Sequence, residues 1–332
     1  MDDMRVFDLH CDTLDRLSLH DFAAYTGFAE ENAKEGIPVG RMMSLRDNDA
    51  HISLERMGRH PWCECFAIFV ADGLADDMGW AMFERVRAFF EEQMRLHGDV
   101  VEQVRQGREI EAVLAAGKKV ALLTVEGAPF LQGAQAYERL DALARAGVMM
   151  VTLTWNGKNA IASGNVTQEG MSPFGREMVR ELEERRIIVD ASHLNDASLA
   201  DLFACAQRPF VASHSNARSV CKNLRNLKDW QFLEIAQRGG IVGLNLYNAF
   251  LVEGNREASP ADVLRHIEHW LELGGQGAIA LGSDYDGADV PSWLKGCDKL
   301  KDLYELVKRA FGDEIARGLF FDNALRFFSS FA

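Results

Sequence analysis

The sequence predicts an α/β chain folded as a (β/α)8, or TIM, barrel, and three observations carry that expectation. Eight short apolar segments, ending near Leu9, Val70, Val125, Thr154, Asp190, Ala212, Leu246 and Leu281, recur along the chain with helical patterns between them. Strands that alternate with helices pair in parallel, and eight repeats suit a closed barrel better than an open doubly wound sheet. No Gly-x-Gly-x-x-Gly follows the first segment and no Gly-x-x-x-x-Gly-Lys-Ser/Thr occurs anywhere, which removes the nucleotide-binding forms of the open sheet. Finally, side chains able to do chemistry stand just past several segments, on the rim where such barrels carry their active sites.

The elements follow in order. Val6-Phe7-Asp8-Leu9 is the first strand. Residues 13–61 are polar and irregular, with Gly27, Gly36, Pro38, Gly40 and the run Arg46-Asp47-Asn48-Asp49. That is too long for a plain loop and reads as an inserted segment with a helix or two that covers one end of the fold. Residues 62–70 form a buried strand, 75–96 a long helix, and 100–116 a second helix stopped by Gly117. A regular alternation then sets in. Strands at 120–125, 148–154, 187–190, 210–212, 241–246 and 278–281 are separated by helices at 136–145, 173–185, 196–205, 229–237 and 262–273, and the region from Asp298 is helical. Ser172-Pro173 is an N-cap followed by a residue suited to the first turn. The helix at 262–273 puts Val263, Leu264, Ile267, Trp270 and Leu271 on one face. His266 and His269 fall off that stripe and read as a solvated edge.

At 332 residues with 48% apolar content the chain can build one large core, so residues 1–332 are expected to be a single barrel domain with insertions. The balance of 36 basic to 50 acidic residues, −14 overall, argues against a nucleic-acid or anionic-membrane partner. No stretch approaches the roughly 20 apolar residues that span a bilayer. Met1-Asp2-Asp3-Met4 has no basic or apolar leader. The six cysteines are dispersed, and Cys63-Glu64-Cys65 is spaced too tightly for a zinc hook. They read as reduced, mostly buried thiols of a cytoplasmic protein.

The chemistry begins where the first strand runs out, at His10-Cys11-Asp12. Alternate side chains of a strand share a side, so His10 and Asp12 point together and Cys11 turns away into packing. An imidazole and a carboxylate on one side are half of a divalent-metal site. Other strand ends supply the rest: Glu126 after the third, His193 after the fifth, His214 after the sixth and Asp284 after the eighth. Each alone reads equally well as a helix cap or a turn former; six on one rim read as a metal site. Three histidines and three carboxylates exceed the three protein ligands of one catalytic zinc. They suit two metals about 3.5–4 Å apart, bridged by a shared carboxylate and a water or hydroxide. Glu126, from a middle strand, is placed to bridge, and Asp284 to close the site.

The segments FDLHCDTL, LTVEGA, VDASHLND, PFVASHSNARSVCKNLRNLKD, GGIVGLNLYNAF and LGSDYDG, in this order between residues 7 and 287, resemble the zinc-dependent membrane (renal) dipeptidases, peptidase family M19 of the amidohydrolase superfamily. The long segment, with His214 eleven residues before Arg225, is the most specific. The resemblance implies a distorted (β/α)8 barrel with two Zn2+ per chain, often a homodimer. It implies hydrolysis of small dipeptides, with tolerance for a D-residue on the C-terminal side. By position, it implies that His10 and Asp12 hold one zinc, His193 and His214 the other, and Glu126 bridges them. Asp284 would be the acid/base that takes a proton from the bridging water and delivers it to the leaving amine. Arg225 would pair with the substrate carboxylate, and Tyr247 would line the same pocket. A guanidinium suits bidentate carboxylate recognition.

Two departures stand out. Characterised members end strand four with Leu-Thr-His, whose histidine helps stabilise the tetrahedral intermediate; here the segment is Leu153-Thr154-Trp155-Asn156. Losing one such donor costs on the order of 10²–10³ in rate unless it is replaced, and Asn156, Lys158 and Asn159 are the candidates, with Trp155 itself beside the substrate. The absent leader and anchor place the chain with soluble bacterial-type members, so membrane attachment is not carried over. Competing readings are an amidohydrolase acting on an N-acyl amino acid, a lactone or a phosphoester, and a catalytically impaired metal-binding homologue. Arg225 speaks for a substrate with a free carboxylate, and retention of Asp284 speaks against lost catalysis.

Overall fold

The computed structural model describes residues 4–18, 44–74 and 76–331. The inserted segment expected after strand one therefore lies partly outside the described residues. Its described parts are a short helix, Thr13–Ser18, and a turn-rich stretch from residue 44.

Eight strands are formed among the described residues: β1 (Val6–Cys11), β2 (Trp62–Phe69), β3 (Val101–Gln103), β4 (Lys119–Glu126), β5 (Val148–Thr152), β6 (Ile188–Asp190), β7 (Val242–Leu244) and β8 (Ile279–Leu281). They pair in parallel in the order β6-β5-β4-β2-β1-β8-β7, with β3 beside β4. The expected strand at 210–212 is reduced to bridges, Val211 with Asp190 and Ala212 with Val242, and these join β6 to β7. Pro209 just ahead has no N–H to give a ladder, which keeps this strand short. The barrel therefore closes through backbone bonds from Ala191 N to Val211 O (2.7 Å) and from Ala212 N to Ile241 O (3.0 Å).

The helices at Asp76–Leu96, Ala136–Ala146, Pro173–Glu184, Asp196–Cys205, Asp229–Gln237 and Pro260–Glu272 pack outside. Ser172 caps as expected, its Oγ accepting from Gly175 N at 2.9 Å. The stretch 100–116 departs from the expected helix: β3 and a 3-10 turn at Gly107–Glu109 precede a helix of only six residues, Ile110–Ala115. Val101 and Val104 are buried while Glu102 is exposed. Gly107 is required where it stands, because a Cβ there would overlap the carbonyl of Phe328. His266 is a second departure. It is fully buried rather than solvated, accepting at Nδ1 from Ala217 N (3.2 Å) and meeting Leu251 O through Nε2 (3.0 Å). Burial lowers its pKa to about 4, so it is neutral. His269 stays part-exposed and pairs with Asp229.

The interior fixes the depth of the rim. Val120, Leu122 and Thr124 share the side of β4 that Glu126 uses. Val120 and Leu122 join Met150, Ile188, Val211, Ile241 and Ala280 in an apolar cluster that Phe321, Phe327 and Phe328 complete. Phe328 packs on Phe7 near the start of β1 (4.9 Å between centroids), which closes the end opposite the rim. Nearer the rim the backbones converge: a Cβ on Gly243 or Gly282 would overlap the carbonyl oxygen of Ser213, the residue before His214. Gly243→Ala is accordingly expected to destabilise the fold by about 3 kcal/mol, read as a lower urea midpoint with unchanged slope. An unaltered midpoint would contradict this close approach.

Candidate active site

All six rim residues come together, buried. Glu126 is the last residue of β4, His10 lies near the end of β1 and Asp12 just past it, and His193, His214 and Asp284 follow β6, the 211–212 bridge and β8. Glu126 Oε1 is 2.6 Å from His193 Nε2 and 3.6 Å from His214 Nε2. Its other oxygen is 3.6 Å from His10 Nε2, which is 3.4 Å from Asp12 Oδ2 and 4.0 Å from Asp284 Oδ1. One carboxylate thus faces two donor sets, His193 with His214 and His10 with Asp12. The rings of His10 and His214 stack at 3.9 Å between them. His193 (φ 71°) and Asp284 (φ 61°) occupy the left-handed region, a strained backbone typical of functional positions.

Outer groups aim these side chains. Asp190 Oδ2 accepts from Ser213 Oγ and Thr152 Oγ1, both at 2.6 Å, and its Oδ1 accepts from Ser192 N and Ser213 N. Ser213 has one hydroxyl proton and gives it to Asp190, so its Oγ accepts from His214 Nδ1–H at 2.8 Å. That tautomer leaves the Nε2 lone pair of His214 pointing at the cluster. His193 Nδ1 meets Asn156 Oδ1 at 3.0 Å. Asp284 Oδ2 accepts from Asn245 Nδ2 at 2.8 Å, which leaves Oδ1 on the cluster side. Asn245 and Asp190 escaped the sequence reading, as did Asp72. Asp72 stands just past the second expected strand, whereas Asn245 and Asp190 lie within the bounds expected for theirs.

Burial disfavours the imidazolium at all three histidines. At His193 and His214, with Arg225 and His10 adding to it, the pKa falls well below the ordinary value. At His10 the carboxylates of Asp12 and Glu126 outweigh burial and push it well above. Burial, reinforced by Asp12, raises Glu126 to about 8, and burial raises Asp284. Among the described residues, buried His10 Nε2 and Asp12 Oδ1 have no hydrogen-bond partner. Two imidazoles held neutral at His193 and His214, crowded carboxylates and the buried Nε2 of His10 among them fit divalent cations, and the donor types suit zinc, cobalt or manganese.

Arg225 is 5% exposed, its Nη2 donating to His214 O at 3.4 Å while its buried Nε has no hydrogen-bond partner among the described residues. Burial lowers its pKa to about 10, so it stays charged at neutral pH, and its charge acts on Asp284 and Glu126. Its guanidinium lies over Phe250 (5.3 Å), against which Tyr247 also packs (4.8 Å). Tyr247 lines an open cavity of about 410 Å³ with Asn248, Asp289 and Lys295. Trp155 meets Phe69 edge-on at 5.2 Å, and its ring is 6.4 Å from that of His193. Lys158 turns out to Glu169. Asn159 is consumed inside its own loop by Leu153 O, Ile161 N and Ala162 N. Of the three candidates for the missing donor, only Asn156 reaches the cluster.

No described helix is long and apolar enough to cross a membrane. The family model described as membrane dipeptidase (peptidase family M19) matches residues 1–332. A Klebsiella pneumoniae protein known only as an uncharacterised protein in the pqqA 5' region is 32% identical over 187 residues, 53% of this chain and 69% of that one. Among solved structures, dipeptidase AC, a metallopeptidase of family M19, superposes with a TM-score of 0.85 at 26% identity, covering 99% of this chain and 100% of its own. A metallopeptidase from Rhodobacter sphaeroides, bound to a phosphinate mimic of the dipeptide L-Ala-D-Ala, superposes with a TM-score of 0.84 at 25% identity over the full length of both chains. The chain belongs to peptidase family M19, the membrane dipeptidase family, and is an enzyme of that metal-dependent dipeptidase class.

Proposed function

We propose that the enzyme hydrolyses the peptide bond of dipeptides, including those with a D-residue on the C-terminal side, at two zinc ions. His10 and Asp12 would hold one ion, His193 and His214 the other, with Glu126 between them. Bound there, the ions would lower the pKa of water and polarise an amide carbonyl. The chain's own groups supply the rest. Asp284 carries the proton: Asn245 pins Oδ2, so Oδ1, on the cluster side, takes the proton from the attacking water and gives it to the leaving amine. Burial raises the pKa of this carboxyl toward the range where it can do both.

Arg225 binds the free carboxylate of the substrate through the Nε that finds no partner among the described residues. Tyr247 lines the same side of the mouth. The single observation that carries this reading is a buried guanidinium with an unpartnered Nε, set beside a proton carrier and two donor sets. An ester, lactone or phosphoester without a carboxylate gives Arg225 no purpose. Tolerance for a D-residue is supported by the L-Ala-D-Ala mimic bound to the Rhodobacter sphaeroides relative.

Two variants test the assignment. Asp284→Asn keeps the shape and the contact to Asn245 but carries no proton, so kcat on a dipeptide is expected to fall by about 10²–10⁴ with bound metal unchanged. Metal loss, or turnover within a few fold of wild type, contradicts the role. Arg225→Met should cut kcat/KM for a free dipeptide by about 10–100-fold, the worth of a charged hydrogen bond, and leave a C-terminally amidated dipeptide nearly unaffected. An equal loss on both substrates would place Arg225 elsewhere in the mechanism.

A further inference from the structure

The loop after β5 lacks the family histidine, yet it is tied into the site from two directions. Below it, Asp72 follows β2 and accepts from Trp155 N through Oδ1 (3.2 Å) and from Gly157 N through Oδ2 (2.5 Å). These are the amides on either side of Asn156, so one carboxylate fixes the backbone from which that side chain projects. Gly157 belongs to the arrangement, since a Cβ there would stand 2.9 Å from Asp72 Oδ2. Above it, Asn156 Oδ1 meets His193 Nδ1 at 3.0 Å, and His193 Nε2 in turn faces Glu126. The Asn156 amide nitrogen makes no hydrogen bond among the described residues.

For the Nε2 lone pair of His193 to serve a metal, the ring proton must sit on Nδ1. The atom opposite Nδ1 must then be an acceptor, which identifies it as the amide oxygen. Because the amide is planar, anchoring Oδ1 on the imidazole leaves the NH2 group beside the same rim with both protons unspent. Resting on the dipeptidase reading above, we propose that Asn156 joins a metal ligand to the substrate: Oδ1 holds the Nδ1 proton of His193, and the NH2 group donates to the scissile carbonyl oxygen as negative charge builds on it. Asp72 is the positioning residue that holds the loop. The pair restores by a carboxylate-stapled amide the donor that a histidine supplies at the position Trp155 fills here, where the indole ring meets Phe69 edge-on.

The test compares Asn156→Ala, Asn156→Asp and Asp72→Ala in the full chain, with zinc affinity from competition against a chromogenic chelator and kcat and KM on L-Ala-D-Ala. Asn156→Ala removes acceptor and donor, so zinc affinity should drop about 10–100-fold at one of the two sites and kcat about 10²–10³-fold. Asn156→Asp keeps the acceptor and loses the donor; zinc affinity should be no weaker than wild type, with the same fall in kcat and KM within about threefold. Asp72→Ala should follow Asn156→Ala in both readouts, and Asp72→Asn, which keeps the shape, stands in if the alanine variant does not fold. Wild-type zinc affinity in Asn156→Ala overturns the support of His193. Wild-type kcat in Asn156→Asp overturns the donor. A wild-type enzyme that binds no zinc defeats the dipeptidase reading and this proposal together; one that binds and turns over while its variants match it defeats this proposal alone.

Discussion

Everything on the rim answers to one electrostatic constraint: three carboxylates, Asp12, Glu126 and Asp284, are buried together around His10. Carboxylates removed from water and set against one another cannot all remain charged without nearby positive charge. Without ions the cluster relieves itself with protons, which is why His10 is driven toward its charged form and Glu126 toward its neutral one. Divalent cations relieve the same crowding and leave every carboxylate free to act as a base or ligand. Glu126 is the pivot because one oxygen serves each side.

Holding such a cluster demands a rigid frame, and the barrel supplies it in layers. Apolar side chains from most strands fill the interior, and the phenyl groups of the C-terminal segment seal its far end. At the next level the glycines at 243 and 282 let the Ser213 carbonyl approach, which brings His214 to the axis. Above that lies a polar tier in which Asp190, Ser213, Asn245 and Asn156 each fix a side chain that faces the cluster. The left-handed backbone at His193 and Asp284 is tolerated because these contacts over-determine it.

Seven of the eight expected strands and the convergence of the six rim residues were legible because both depend on local signals: a short apolar run, and what stands just past it. Less legible was whatever depends on contacts distant in sequence. β3 exists because it pairs with the start of β4 before β5 begins, a fact no window around Val101 contains. His266 lies off its helix's apolar stripe yet is buried by loops some 15 and 49 positions away. Asp72, Asn245 and Asp190 were missed because their work is to orient other side chains, and nothing in an isolated Asp or Asn announces a partner. The substitution at Trp155 was visible in the sequence, but only geometry separated Asn156 from Lys158 and Asn159.

The central claim is that one carboxylate divides the rim into two metal positions. Anomalous scattering from crystals grown with zinc tests it most directly. Two peaks are expected, one among His10, Asp12 and Glu126 and one among Glu126, His193 and His214, each within bonding distance of a different Glu126 oxygen. A single peak, or two peaks of which one does not touch Glu126, would contradict the account.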